Sequence, residues 1–114
     1  MANTWKLFGR VFTADSPGKY EFNCPCIRTA STSFGANHAI AAYIQTSYGL
    51  QKYIAFQRTA TAYTGSMEIG GSGIVRLKVG EYAYIRIYSD TSSTLDPTNP
   101  GAWNTLQIKR VGNY

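Results

Sequence analysis

Apolar and polar residues alternate along most of this sequence with a period of two. Tyr20, Phe22, Cys24 and Cys26 take turns with Glu21, Asn23, Pro25 and Ile27. Successive side chains of a strand point to opposite faces, so this is a strand with one face on a core. Between His38 and Thr46, Ile40, Ala42 and Ile44 share one face and Ala39, Ala41, Tyr43 and Gln45 the other. A turn at Ser47-Tyr48-Gly49 follows, and Leu50 to Arg58 resumes with Tyr53, Ala55 and Gln57 opposite Lys52, Ile54 and Phe56, which predicts a hairpin. Val75, Leu77 and Val79 then alternate with Ile74, Arg76 and Lys78. After Gly80-Glu81, Ala83, Ile85 and Ile87 alternate with Tyr82, Tyr84, Arg86 and Tyr88, so these two runs are expected to pair across the turn. A slip of one residue would drive Arg76 and Lys78 into the core, which fixes the register. The closing strand is Thr105 to Val111, with Leu106 and Ile108 inward. No window of about a dozen residues carries the helical period. The class is all-β, and many short strands between Gly, Pro and Ser turns specify a sandwich or a barrel.

Two segments interrupt the alternation. Tyr63 to Gly73 contains Gly65, Gly70, Gly71 and Gly73 and is expected to be a flexible connection; the P-loop spacing and its lysine are absent. Ser89 to Asn104 is a long polar loop with Asp90, Asp96, Asn99 and Trp103. A flat aromatic beside carboxylate and amide partners is the composition of a sugar site, and long loops on a rigid sandwich are where such sites sit. The same residues also fit a plainer role, in which Trp103 packs the loop down and the two aspartates cap turns.

Composition removes several function classes. At 114 residues the chain is one domain, 1–114, large enough to bury a core without staples. Apolar residues make up 44% and are well mixed with polar ones, which excludes both disorder and a spanning helix. The N-terminal residues from Met1 to Trp5 do not read as a secretory signal, so none is expected. The net charge of +5 favours anionic partners, yet the basic residues are dispersed and only Lys109-Arg110 are adjacent, so direct nucleic-acid binding is not expected. Cys24 and Cys26 flank Pro25, too close along a strand for good disulfide torsions, and are expected to be buried free thiols. With His38 as the one histidine and six carboxylates scattered over turns and strands, neither a catalytic triad, a glycosidase pair nor a zinc site is legible. No enzyme activity, cofactor or metal is expected. On the Ala83–Ile87 strand the core side is already supplied, so Tyr82, Tyr84, Arg86 and Tyr88 face solvent or a partner, with residue types favoured at interfaces.

Four segments, in order, resemble the globular head of the tumour necrosis factor and complement superfamily. Gly9-Arg10-Val11-Phe12-Thr13 and Gly18-Lys19-Tyr20-Glu21-Phe22 are similar to the complement-type opening. Ala41-Ala42-Tyr43-Ile44-Gln45 before its glycine turn resembles the strand preceding the central hairpin, and Ser72 to Tyr88 is similar to the family's valine-glycine-acid stretch. Thr105 to Val111 stands where the closing strand stands. The resemblance implies a jelly-roll sandwich of two antiparallel sheets that forms a homotrimer, with Tyr20 and Phe22 on the trimer contact. Family heads open with one or two more strands than precede Val11 here, so one sheet is expected to be short, its edge covered by Trp5, Leu7 and Phe8 or completed by a neighbouring chain. Some heads hold calcium near the trimer top, but two separated aspartates make a poor hard-cation site. A freestanding head without stalk, anchor or signal suits a bacteriophage or other virion surface, as capsid decoration or as the head of a fibre or tail tip. The expected partners are further copies, other virion proteins such as capsid or fibre, and a host-surface glycan, without membrane insertion. The rival reading is a freestanding soluble carbohydrate-binding, lectin-like module; cytokine-type signalling is disfavoured by the missing signal.

Overall fold

The computed structural model describes residues 4–6 as backbone, 10–90 and 104–114 in full. Ten strands account for the order: β1 Thr4–Lys6, β2 Phe12–Thr13, β3 Gly18–Arg28, β4 Thr32–Phe34, β5 Ala39–Thr46, β6 Gln51–Arg58, β7 Tyr63–Gly65, β8 Glu68–Leu77, β9 Tyr82–Ser89 and β10 Gln107–Gly112. Among the described residues there is no helix, as the period of two requires. All pairings are antiparallel. One sheet has five strands, with β1 and β2 along one edge of β9, then β5, then β6. A second sheet runs β10-β3-β8, and β4 and β7 form a short separate pair. The arrangement is consistent with a β-sandwich, and the core lies between the two larger sheets.

That core draws on both sheets. Phe22, Ile27 and Leu77 from the three-stranded sheet and Ile40, Ile44, Ile85 and Ile87 from the five-stranded one are fully buried. Phe12 joins them edge-on to Phe22, with ring centroids 6.1 Å apart. Tyr20 and Phe22 belong to this core, at 4% and 0% exposure, and the Tyr20 hydroxyl donates to Ser16 O at 2.6 Å. They therefore present no surface to a second chain, and the expected trimer contact through them is corrected: the apolar face of β3 is spent on the chain's own second sheet.

Irregularities explain where the alternation misleads. On β3 the register with β8 shifts between Cys24 and Ile27, so Cys24 and then Ile27 point inward while Cys26 is only half-buried. Pro25, which has no N–H to give, stands exposed at this bulge, the usual place for a strand proline. Both thiols are free.

The glycine-rich 63–73 stretch is not a loose connection but β7 and most of β8. Here the edges of the two sheets close on one another, and a Cβ on Gly71 would lie 1.9 Å from Ile54 O of β6. Only glycine lets the two backbones come so near. The seam continues along β8, where Lys52 Nζ donates to Ile74 O at 2.9 Å and the Tyr48 hydroxyl to Arg76 O at 2.7 Å.

The expected β8–β9 pairing is also corrected. The two strands lie in different sheets, so the turn at Val79-Gly80 is a crossover between layers. Gly80 sits at φ 85°, and Glu81 N–H donates to Lys78 O at 3.0 Å. Ala14 pins the turn from outside through bonds to Glu81 O and from Gly80 N–H, both 2.9 Å.

Candidate binding face on the five-stranded sheet

β5 is the central strand of its sheet, flanked by β6 and β9. Its inward face, Ile40, Ala42 and Ile44, is core, and its outward face carries Ala39, Ala41, Tyr43 and Gln45. The registers line up rows across the three strands. Phe56, Ala41 and Tyr88 form one row, and Tyr53, Tyr43 and Arg86 the next. Tyr84 stands opposite Gln45. Beyond the first row, Arg58 pairs with Ala39, and Asp90 closes the row through two bonds to Ala39: Asp90 N–H to Ala39 O at 2.9 Å, and Ala39 N–H to Asp90 Oδ2 at 2.8 Å.

The outward face is thus aromatic on both flanks and small in the middle. Ala41 points away from the core yet is 2% exposed, because larger neighbours lie across it, whereas Tyr53 and Phe56 remain 61% and 59% exposed. Tyr43 and Tyr53 pack ring to ring at 5.0 Å. The result is a platform of rings over an alanine floor, with a shallow depression of about 450 Å³ bounded by Phe56 and Arg58 on one side and Tyr88 and Asp90 on the other. Exposed apolar area of this kind on a folded domain marks a contact surface.

Its polar groups are held in place. The Arg58 guanidinium lies over the Phe56 ring at 5.5 Å, and its Nη1 donates to Asn37 O at 2.8 Å. The Tyr88 hydroxyl donates to Asp90 Oδ1. That bond, and next the Ala39 N–H, hold the Asp90 carboxyl below its ordinary range, while the same carboxylate raises the Tyr88 phenol. Burial raises the Tyr43 phenol, partly offset by the nearby Arg86 guanidinium. Among the described residues, two guanidinium groups and one carboxylate make the face cationic in a chain of net charge +5.

The structure brings together two groups of residues that the sequence offered separately. Asp90, read as part of the loop, directly follows β9 and joins the face of Tyr82, Tyr84, Arg86 and Tyr88. Tyr82 and Tyr88 are exposed, and Tyr84 and Arg86 half-buried. Asp96, Asn99 and Trp103 lie outside the described residues. Tyr43, Tyr53, Phe56 and Arg58 are the members sequence reasoning missed. Simple alternation puts Tyr53 and Phe56 on opposite faces, but Ile54 is an extra residue in β6 against β5, where the register passes from Ala42–Ala55 to Tyr43–Tyr53. The bulge turns both rings outward and sends Ile54 and Ala55 toward the core.

Among the described residues, no group of three or more His, Cys, Asp or Glu could hold a metal ion, and no helix is long and apolar enough to cross a membrane. Neither a protein-family model nor a curated protein matches this sequence.

Proposed function

We propose that the protein is a non-catalytic virion-surface module, a jelly roll that assembles as a homotrimer, attaches to other virion proteins and works by contact. The observation that carries the contact role is the aromatic, cationic outer face of the five-stranded sheet, which does nothing for the chain's own core. Aromatic residues and arginine are the types that dominate binding energy at protein surfaces.

Strand order supports the jelly-roll part of the reading. Between the two larger sheets, β2 to β3, β3 to β5, β6 to β8, β8 to β9 and β9 to β10 each cross over, whereas β1 to β2 and β5 to β6 stay within one sheet. Wrapping of that kind is what two interlocked Greek keys require, and jelly rolls serve in viral capsids and in lectins. One of the two larger sheets has three strands, and Thr4–Lys6, expected near the edge of the short sheet, joins the other one along β9. The virion and trimer parts rest on the resemblance, and copies meet through surface other than Tyr20 and Phe22.

Two measurements test this. Mass spectrometry of particles purified from cells that make the chain is expected to find it in the particle, and its absence there would remove the virion role. Sedimentation equilibrium is expected to give three times the 12.6 kDa chain mass, whereas a single-chain mass at micromolar concentration would remove the trimer. A second reading, a freestanding lectin-like module, is favoured by the Arg58 and Asp90 groups beside exposed rings, and it predicts glycan binding by a chain that is missing from particles.

A further inference from the structure

The row formed by Phe56, Ala41 and Tyr88, with Arg58 and Asp90 at its end, has more chemistry than a plain apolar contact needs. We infer that this end of the face is a subsite for an acidic pyranose, a hexuronate unit of an anionic polysaccharide. The inference rests on the reading that the protein works by contact through this sheet face, and names what that face contacts.

Three properties support a sugar ring. Phe56 and Tyr53 offer ring surface that is more than half exposed, and the C–H side of a pyranose is an apolar plate that such rings desolvate. The supporting floor, Ala39 and Ala41, belongs to the central strand and is fixed by ladder bonds on both sides, so the platform is formed before any ligand arrives. Residues on one side of a strand recur every second position, roughly 6.8 Å apart. Arg58 therefore stands one such step beyond Phe56, and with its guanidinium 5.5 Å from the Phe56 ring centroid it is within reach of a carboxylate carried by a sugar ring packed at Phe56.

The charge decides the class of sugar. Arg58 is anchored by Nη1 on Asn37 O and braced over Phe56, and the hydrogen bonds described for it use no other nitrogen. Guanidinium N–H pairs match a carboxylate bidentately, and bracing reduces the entropy lost when the pair forms. Among the described residues, Asp90 is the carboxylate that lines this row. Its charge is held by Tyr88 and by Ala39 N–H, and the oxygen of the exposed Tyr88 suits a sugar hydroxyl as acceptor. With Arg86 on the next row, the described residues of the face carry two guanidinium groups to one carboxylate, within a chain of net charge +5, which complements an anionic chain.

The test titrates the intact protein, in whatever assembly it forms, with an oligogalacturonate, with its methyl ester as the neutral counterpart, and with polyphosphate as an anion without sugar rings. The oligogalacturonate is expected to bind, more tightly than the ester by about tenfold or more, since a hydrogen-bonded charge pair contributes about 1.5–3 kcal/mol. Added salt is expected to weaken that binding. Phe56→Ala is expected to abolish it, and Arg58→Gln to bring the uronate down to the level of the ester. Both side chains are exposed, so the variants are expected to keep the wild-type melting temperature. Failure of the uronate to bind the wild type would overturn the inference, as would equal binding of the ester, equal binding of polyphosphate, or unchanged binding in both variants. Particle composition and sedimentation mass, measured on the same preparation, separate this from the parent reading: a trimer found in particles that binds no uronate overturns the inference alone.

Discussion

At the scale of single residues, Asp90 is the group whose surroundings bear most on the face. Its pKa is lowered in the folded chain, first by the Tyr88 hydroxyl and then by Ala39 N–H. A carboxyl with a depressed folded value contributes stability that is complete above its ordinary pKa of about 4 and is lost as pH falls through the folded value. Denaturant unfolding followed from pH 6 down to about pH 2 is therefore expected to show an acid limb that Asp90→Asn flattens. An unchanged limb in that variant would remove Asp90 from this role. The thiols give a second residue-level expectation. Burial pushes the Cys24 thiol up to about 12, leaving it protonated and covered at neutral pH, while Cys26 is half-buried at the bulge. Iodoacetamide at pH 8 is expected to label Cys26 in the native protein and Cys24 only after unfolding. Equal labelling rates would contradict the strand register described for β3.

At the scale of elements, the closed edge between β6 and β8 depends on Gly71. Gly71→Ala would set a methyl group against the Ile54 carbonyl. Thermal unfolding is expected to report a loss of about 1–3 kcal/mol, the range for overpacking a tight site. A melting temperature equal to wild type would mean that the edges are not in contact there. Much of this level was readable in the sequence, because burial of one face dictates a period of two: β3, β9 and the β5–β6 hairpin follow from it directly. What was not readable has three physical sources. Glycine reports a close approach and a flexible loop with the same letter, and at Gly71 the partner is nearly twenty residues away on β6. A turn such as Val79-Gly80 reverses the chain without saying whether the next strand joins the same sheet. A bulge on one strand is visible only against its partner, so Ile54 hid the shared face of Tyr53 and Phe56 until β5 was laid beside β6.

At the scale of the whole molecule, the core and the contact face divide the aromatic residues between them. Tyr20 and Phe22 hold the two sheets together, which excludes them from assembly; Tyr53, Phe56, Tyr82 and Tyr88 are left outside, where they contribute nothing to the core. Because the charge is spread thinly and one face is both ringed and cationic, the protein is expected to meet an anionic surface flat-on. Imaging of purified particles tests that most directly. Under the proposed virion role, threefold clusters of the sandwich are expected on the particle surface, with the Tyr53–Phe56 face turned outward and accessible. Particles that lack the chain, or that carry it with this face buried against the capsid, would contradict it.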